Sequence, residues 1–445
     1  MSDARWRMLM TPDRVGSDEP GRITLRRSPF QRDFDRVVFS GSFRRLQDKT
    51  QVFPLVKTDY VRTRLTHSIE TSSVGRSLGS AAGVFICDNF DLGDVRPSDV
   101  GAVVAAACLA HDIGNPPLGH AGEEAIRYWF TTSATAAAFH DRLSAAEFSD
   151  IARYEGNAQG FRVLSALEMP DRRGGMQLTC ATLGALAKYP GSSRSAFKKF
   201  GFFQAERSLF SEVAEHCGLI RATREQWVRH PLSYLVEAAD DITYLIVDFE
   251  DGRRLGLIPT SELEETFLTL LDSPAARVEL ETVRTPQRRA EFLRAKVIGE
   301  LVRQTVEEFV RHHDEILNGT WATPLLSGIP AGALLDRIRR RSEESIYNHP
   351  HVAEVVAAGF EMVSGMLDIF VPCVDELARE RRGGARASSR SRRLAALLPE
   401  SVLAAAGPAE GSDGYLLLLR VLDYISAMTD GFAVNLYQKL KGISL

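Results

Sequence analysis

Apolar positions recur with helical spacing along most of the chain. The segment around His67, for example, has a helical pattern in which Leu65, Ile69, Val74 and Leu78 are apolar. Thr50–Pro54 is the clearest short extended segment. We therefore predict an all-α fold with at most a short β-hairpin. The pattern predicts helices over 29–46, 62–82, 98–112, 121–131, 157–168, 177–188, 204–215, 231–250, 260–272, 289–317, 331–343, 350–371 and 414–441.

Three segments lack this periodicity. Residues 131–150 and 190–201 are predicted to be loops close to the chemical motifs described below. The stretch 382–393 is rich in Gly, Ser and Arg, a composition typical of a mobile loop. We expect a core over residues 20–260, with a helical C-terminal extension over 261–445 packed on it as one structural unit.

Composition and charge indicate a cytoplasmic protein without a general affinity for nucleic acid. The 445 residues carry a net charge of −4, so the basic character is local, in the first sixty-odd residues and in 379–393. Five widely separated cysteines without a Cys-x-x-Cys pair are typical of reduced thiols. No apolar core of a signal peptide follows Met1, so we do not predict export. The sequence contains no run of eighteen apolar residues, so we do not predict a membrane span.

The strongest chemical signal is the stretch LAHDIGNPPLGHAGE, from Leu109 to Glu123. An Ala-rich apolar run leads into His111-Asp112, which places this pair at the end of a buried helix. A buried carboxylate beside an imidazole must be paired or neutralised, and a divalent cation does this well. After the break at Gly114-Asn115-Pro116-Pro117, the chain continues with His120 and Glu123.

Further metal ligands are available on two other predicted helices. His67 lies in RTRLTHSIE upstream, and the helix LVEAADDITYLIVDF downstream carries an acidic stripe with Asp240 or Asp241 in it. Two histidines and two aspartates suit a borderline or hard divalent ion such as Mn²⁺, Fe²⁺, Mg²⁺ or Ni²⁺. The absence of cysteine from this set argues against a structural zinc site.

The order His67, His111-Asp112, Asp240 resembles that of the HD-domain phosphohydrolases. The flanking motifs are similar to those of the deoxyguanosine-triphosphate triphosphohydrolase family, from about residue 20 to the C-terminus. These motifs are FRRLQDKTQVFP (43–54), RLTHSIE (64–70), HDIGNPPLGHAGE (111–123), YEGNAQGFRVL (154–164), KKFGFFQAE (198–206), EAADDITY (237–244), IYNHP (346–350) and DYISAMTD (423–430).

The resemblance implies a metal-dependent hydrolase with an HD-type helical bundle over 20–260. Its reaction would cleave a deoxynucleoside triphosphate (dNTP), dGTP-like or broader, into the deoxynucleoside and inorganic triphosphate. On this reading His67, His111, Asp112 and Asp240 hold Mn²⁺, Mg²⁺ or a similar metal that lowers the pKa of a bound water.

That reaction assigns roles to several other residues. His120, with Glu123 one helical turn on, is the candidate general acid for the leaving 5′ oxygen. Arg64, Lys188 and Lys198-Lys199 are candidate ligands for the phosphates, and the hydroxyl of Tyr244 is a further one. By family position, Arg44 and Asn115 are also expected at the substrate.

The resemblance also implies a pocket for the deoxyribose. Gln47 and Asp248 match family positions that we associate with the 3′-hydroxyl, and the segment with Glu155 and Asn157 is expected to line the cleft. One departure is Gly431, which follows Thr429-Asp430 where the family pattern has arginine. The phosphate or subunit contact of that arginine is therefore in doubt here.

Two alternatives stay open at this point. Another HD-type enzyme, a nucleoside-monophosphate phosphatase or cyclic-nucleotide phosphodiesterase, would have no use for the flanking motifs. A regulatory module could instead bind single-stranded nucleic acid through the arginine-rich segments. By family we further expect a homo-oligomer, in the form of a hexamer, and a possible activating nucleotide. Base preference and the native metal are left open by the sequence.

Overall fold

Helix-start signals in the sequence coincide with the places where helices begin. Ser28 caps the helix that starts at Pro29 in a reciprocal pair with Gln31, and Thr63 caps the helix that starts at Arg64. The computed structural model describes residues 2–22, 27–51, 62–403 and 412–443, and helices account for most of them. The all-α prediction is confirmed.

The first half of the described chain holds twelve α-helices. They are α1 (Ser2–Leu9), α2 (Pro29–Val38), α3 (Gly41–Arg45), α4 (Arg64–Asn89), α5 (Pro97–Ala110), α6 (His120–Thr132), α7 (Ala134–His140), α8 (Ala145–Ala152), α9 (Gly156–Arg162), α10 (Cys180–Leu186), α11 (Arg207–His216) and α12 (Pro231–Arg254).

Ten more α-helices follow in the described part of the second half. They are α13 (Thr260–Leu271), α14 (Pro274–Glu281), α15 (Pro286–Arg311), α16 (His313–Asn318), α17 (Gly332–Ser342), α18 (Pro350–Arg381), α19 (Ser389–Ala395), α20 (Glu400–Leu403), α21 (Asp413–Ser426) and α22 (Asp430–Leu440). Short 3₁₀ turns span Leu46–Asp48, Gln204–Glu206 and Leu325–Ser327, and π-helical turns span Val163–Leu167 and Glu343–Tyr347.

One two-stranded antiparallel sheet interrupts the helices. Strands β1 (Arg221–Thr223) and β2 (Gln226–Trp227) pair with Arg221 opposite Trp227. This agrees with the expected short hairpin at most. The predicted extended segment Thr50–Pro54 lies mostly outside the described residues, although Thr50 pairs with Thr63 in an isolated bridge.

Five predictions about segments were wrong. The supposed loop 131–150 contains α7 and α8, since Ser133 and Ser144 cap short helices there. The segment 382–393 is partly helical, because α19 begins at Ser389. The single helices predicted over 29–46, 289–317 and 414–441 are each divided in two, with breaks at 39–40, at His312 and at 427–429.

Apolar side chains gather around three sets of helices. The largest cluster lies between α4, α5, α12 and α15, a second between α6, α18 and α21, and a third beside α2, α10 and α11. One described stretch, Val352–Arg381 in α18, is apolar and long enough to cross a membrane. Its Val363, Leu367 and Phe370 are fully buried within the second cluster, as in the core helix of a globular fold.

Helices α4 and α5 pack unusually closely, because α4 presents glycines to α5. A Cβ atom added at Gly79 would lie 2.9 Å from the Cα of Gly101 and 2.9 Å from the Cβ of Val104. A Cβ at Gly83 would lie 2.8 Å from the carbonyl oxygen of Pro97. This close approach brings the start of α4 next to the end of α5, where the candidate site is found.

Candidate active site and metal centre

Three helices bring three candidate metal ligands together. His67 lies in the first turn of α4, His111 directly follows α5 as its C-terminal cap, and Asp240 lies in the middle of α12. Their donor atoms all lie within 4.8 Å of one another. The Nε2 atoms of His67 and His111 are 3.1 and 3.4 Å from Oδ1 of Asp240.

The donor chemistry of this group fits a divalent metal. Nδ1 of His111 is 2.6 Å from the carbonyl oxygen of Cys108, which only accepts hydrogen bonds. Nδ1 of His111 therefore carries a proton, and Nε2 is directed at the cluster, where a metal would replace any proton on it, as in metal-ligating histidines. Burial lowers the pKa of His111, but Asp112 and Asp240 outweigh that effect and raise it to about 9.

Asp112 lies at the edge of this cluster. One carboxylate oxygen is 3.5 Å from Nε2 of His111, and the other accepts a hydrogen bond of 2.7 Å from Arg64. Asn115 donates to Asp112 as well. Burial raises the pKa of Asp112, yet the Arg64 guanidinium and His111 hold it at about 2, so the group is a carboxylate.

The sequence left open whether Asp240 or Asp241 is the metal ligand, and the two carboxylates differ in position. Asp240 faces both histidines, and these two imidazoles hold its pKa well below the ordinary value despite burial. Burial raises the pKa of Asp241 to about 6, with Lys188 as its main opposing charge. Among the described residues, the group with metal-ligand spacing includes Asp240 and not Asp241.

His120 and Glu123 form a pair beside the cluster. His120 is the first residue of α6 and is exposed, whereas Glu123 in the same turn is 1% exposed. Nδ1 of His120 is 3.3 Å from Oε2 of Glu123, and the other oxygen of Glu123 accepts from the amide of Gly156 at 2.9 Å. Burial raises the pKa of Glu123, but the bond and charge of His120 lower it overall.

Both groups open on one cavity of about 490 Å³. Of the predicted substrate residues, Arg64, Asn115, Asn157, Lys188, Lys199 and Tyr244 line it. All three cations are engaged with acids: Arg64 donates to Asp112 at 2.7 Å, Lys188 is 3.2 Å from Glu237, and Lys199 is 3.6 Å from Glu155. This volume lies within the range of about 300–1,000 Å³ that is usual for small-molecule sites.

The aromatic wall of this cavity includes a residue to which the sequence analysis gave no role. Tyr347 stacks on Tyr244, with ring centroids 5.4 Å apart and planes at 12°. Its hydroxyl donates to Asp248 at 3.0 Å. Burial raises the pKa of Asp248 well above its ordinary value. Asp248 therefore reaches the cavity through Tyr347, which lies within the IYNHP motif.

Five residues predicted at the substrate do not line this cavity as the described residues form it: Arg44, Gln47, Glu155, Lys198 and Asp248. Arg44 and Gln47 are exposed, because α3 and the following 3₁₀ turn direct Phe43, Leu46 and Lys49 inward instead. Glu155 is buried, and it accepts from Asn157 at 2.7 Å. Gln51, which the sequence analysis passed over, does line the cavity.

Comparison with known proteins agrees with this geometry. Residues 64–178 match the family model described as HD domain. The chain is 41% identical to a deoxyguanosinetriphosphate triphosphohydrolase-like protein of Synechocystis, over 99% of this chain and 100% of the relative. It is 38% identical to a protein of the same description in Pseudomonas aeruginosa, over 99% of each chain.

A more distant relative carries the unqualified description. The deoxyguanosinetriphosphate triphosphohydrolase of Yersinia pestis is 30% identical, over 92% of this chain and 93% of the relative. The HD-domain match covers the segment with His67 and His111, and the full-length relatives extend it to both ends of the chain. The chain therefore belongs to the deoxyguanosinetriphosphate triphosphohydrolase-like family of HD-domain phosphohydrolases.

Proposed function

We propose that the protein hydrolyses a deoxynucleoside triphosphate to the deoxynucleoside and inorganic triphosphate. The observation that carries this proposal is that a His67–His111–Asp240 donor group, a His120–Glu123 pair and three cationic side chains open on one cavity. The descriptions of the relatives support a nucleotide substrate. The base is left open, dGTP or a broader set.

The substrate phosphates would bind next to the metal held by the His67–His111–Asp240 group. His67, His111 and Asp240, with Asp112 at its edge, would hold Mn²⁺, Mg²⁺ or a similar ion, which supplies charge for the α-phosphate and acidifies water. Arg64 presents a rigid guanidinium that suits phosphate oxygens. Lys188 and Lys199 are paired with acids in the free protein, so the triphosphate would compete for them.

His120 would deliver the proton that the leaving 5′ oxygen needs. Its exposed imidazole lines the cavity, and the buried Glu123 carboxylate accepts from Nδ1 and orients the ring. Glu123 is itself held by the amide of Gly156, which fixes the carboxylate at Nδ1 of the imidazole. His120 would thus act as the general acid, and Glu123 would orient its ring.

The deoxyribose would lie against the Tyr244–Tyr347 wall. The stacked rings line the cavity and would face the sugar, and Asp248, which accepts from the Tyr347 hydroxyl and does not itself line the cavity, would act on the 3′-hydroxyl through Tyr347. Asn115 and Asn157 add neutral donors on the same cavity. Loss of the Tyr347 ring would therefore raise KM for dNTP more than it lowers kcat.

Incubation with each dNTP in Mn²⁺ or Mg²⁺, followed by chromatography, tests the proposal. We expect deoxynucleoside and inorganic triphosphate in equal amounts. A nucleoside monophosphate with pyrophosphate, or orthophosphate from a monophosphate substrate, would instead support another HD-type phosphohydrolase. By family we also propose a cytoplasmic homo-oligomer, hexameric, which light scattering on the purified protein would test.

A further inference from the structure

Two buried polar residues tie the loop before His120 to the C-terminal helices. Asp430 is 1% exposed and Lys49 is 3% exposed. Neither is one of the donors that group within 4.8 Å, and neither lines the cavity as the described residues form it. Four hydrogen bonds join their side chains to main-chain atoms of three separate segments, at Thr50, within 115–118 and at Ser426.

Asp430 holds the end of the loop. It is the first residue of α22, directly after the capping residue Thr429. One carboxylate oxygen accepts from the amide of Leu118 at 2.9 Å, and the other accepts from the amide of Thr50 at 2.8 Å. A single buried carboxylate thus joins the C-terminal helix to the two segments that flank the site.

Leu118 needs such support, because its backbone is in the left-handed region. Its φ is 62°, a conformation that L-residues with bulky side chains rarely adopt. Its side chain also packs on α18, where a Cβ at Gly359 would lie 2.4 Å from Cδ1 of Leu118. His120 comes two residues later, so the conformation of Leu118 sets the direction in which α6 starts.

Lys49 holds the beginning of the same loop. Its Nζ donates to the carbonyl oxygens of Asn115 at 2.5 Å and Ser426 at 2.7 Å. Its own carbonyl oxygen accepts from the amide of Arg64 at 3.0 Å. Because Asn115 also bonds Asp112, this lysine links the metal-side end of the loop to the junction between α21 and α22.

We propose that Asp430 and Lys49 are positioning residues that hold residues 115–119 in the conformation that turns the His120 imidazole toward the cavity. The C-terminal helix α22 thereby takes part in proton delivery without contacting the substrate. This inference rests on the proposed function, and specifically on His120 as the general acid.

The test compares a dNTP with its 5′-thio analogue, in which sulfur replaces the bridging 5′ oxygen and the leaving group needs little protonation. In Asp430→Ala we expect kcat for the dNTP to fall about 10- to 100-fold, and kcat for the analogue to fall less than about 3-fold. KM and metal content stay at the wild-type level. Asp430→Asn, which keeps one acceptor oxygen, recovers part of the loss, and Lys49→Met behaves like Asp430→Ala.

Asp413→Ala is the matched control. Asp413 also begins a C-terminal helix, but it pairs with Arg382 at the surface, so both rates should be unchanged. Equal losses on the two substrates in Asp430→Ala, or no loss, would overturn the inference. If that variant does not fold, Asp430→Asn and Lys49→Met decide by the same criterion.

His120→Ala in the same assay distinguishes failure of the positioning role from failure of the general-acid role on which it rests. A selective loss in His120→Ala without one in Asp430→Ala or Lys49→Met overturns the positioning role alone. If His120→Ala slows both substrates equally, His120 is not the general acid, and the positioning inference fails with that role while the triphosphohydrolase activity stands. If wild type releases no triphosphate, the proposed function itself fails. Selective losses in all three variants support both.

Discussion

At the scale of single residues, the site contains two kinds of histidine. His67 and His111 are largely buried and face Asp240, whereas His120 is exposed and faces Glu123. A ligand and a general acid should respond differently to removal, because metal affinity depends on the number of ligands while proton transfer affects only the rate. This difference separates their roles experimentally.

Replacing His120 should therefore lower the rate and leave the metal in place. We expect His120→Ala to retain stoichiometric metal and to bind dNTP, while kcat falls by about 10²- to 10⁴-fold, the usual cost of losing a general acid. Elemental analysis and steady-state kinetics measure the two effects. Loss of metal along with activity would reassign His120 as a ligand.

Replacing a ligand should have the opposite signature. In His111→Ala or Asp240→Ala, one of three converging donors is gone, and we expect the metal content after dialysis to collapse. His120→Ala serves as the control, since it alters a histidine of the same cavity. Full metal retention in both ligand variants would refute the assignment.

The burial of Lys49 should make the free energy of unfolding depend on pH. Burial lowers its pKa from 10.5 to about 7, against the raising effect of Asp430. Between these two values the unfolded chain binds more protons at this residue than the folded chain, so the Lys49 contribution to the free energy of unfolding increases as pH rises. Below about pH 7 both states are protonated, and the unfavourable burial of the charge is fully present.

Thermal melting of wild type and Lys49→Met measures this effect. We expect the melting temperature of wild type to rise relative to that of the variant between about pH 7 and about pH 10, because methionine does not titrate. Parallel curves over that range would show that Lys49 does not titrate as burial requires.

At the scale of elements, the site depends on the close packing of α4 against α5. Gly79→Ala places a methyl group against the backbone of Gly101, which cannot move without separating the helices. We expect a loss of about 1–3 kcal/mol in the free energy of unfolding, together with weaker metal binding because His67 and His111 shift apart. Chemical denaturation and metal titration measure the two losses.

Gly299→Ala is the matched control for that experiment. Gly299 lies in the interior of α15, and nothing lies within 4 Å of a Cβ added there. Alanine in an open helical position stabilises by up to about 1 kcal/mol relative to glycine. If Gly79→Ala were as well tolerated as Gly299→Ala, close helix packing would not be what sets the histidine spacing.

The elements that hold the metal donors were predicted from sequence, because α12 has a periodic apolar face, α5 is a continuous apolar run, and α4 contains apolar residues in a helical pattern. The short helices α7 and α8 were missed, since they depend on caps more than on periodicity. The Ser144-x-x-Glu147 capping box was visible in the sequence and would have indicated α8. Apolar period alone therefore underestimates short capped helices.

Contacts across long sequence distances could not be predicted in this way. Tyr347 meets Asp248 across 99 residues, and Asp430 meets Leu118 across 312. Gln47 was expected in the sugar pocket by family position, but the turn that buries Leu46 and Lys49 directs it to solvent. Such contacts depend on tertiary packing, which cannot be predicted from the local pattern of apolar and polar residues.

At the scale of the whole molecule, both halves of the chain build the cavity. The metal donors and the His120–Glu123 pair come from residues before 260, whereas Tyr347, Val352 and Val356 come from the C-terminal extension. The division at 260/261 stays a prediction from the sequence. A Cβ at Gly431 would lie 2.8 Å from the carboxylate of Asp48, so an arginine at that position would meet this acid first.

Hydrolysis in water enriched with ¹⁸O tests the central claim most directly, because it identifies the bond that breaks. If water attacks the α-phosphorus and the 5′ oxygen leaves with a proton from His120, mass spectrometry of the products finds ¹⁸O in inorganic triphosphate and none in the deoxynucleoside. Label in the 5′-hydroxyl of the deoxynucleoside, or in pyrophosphate or a nucleoside monophosphate, would contradict the account.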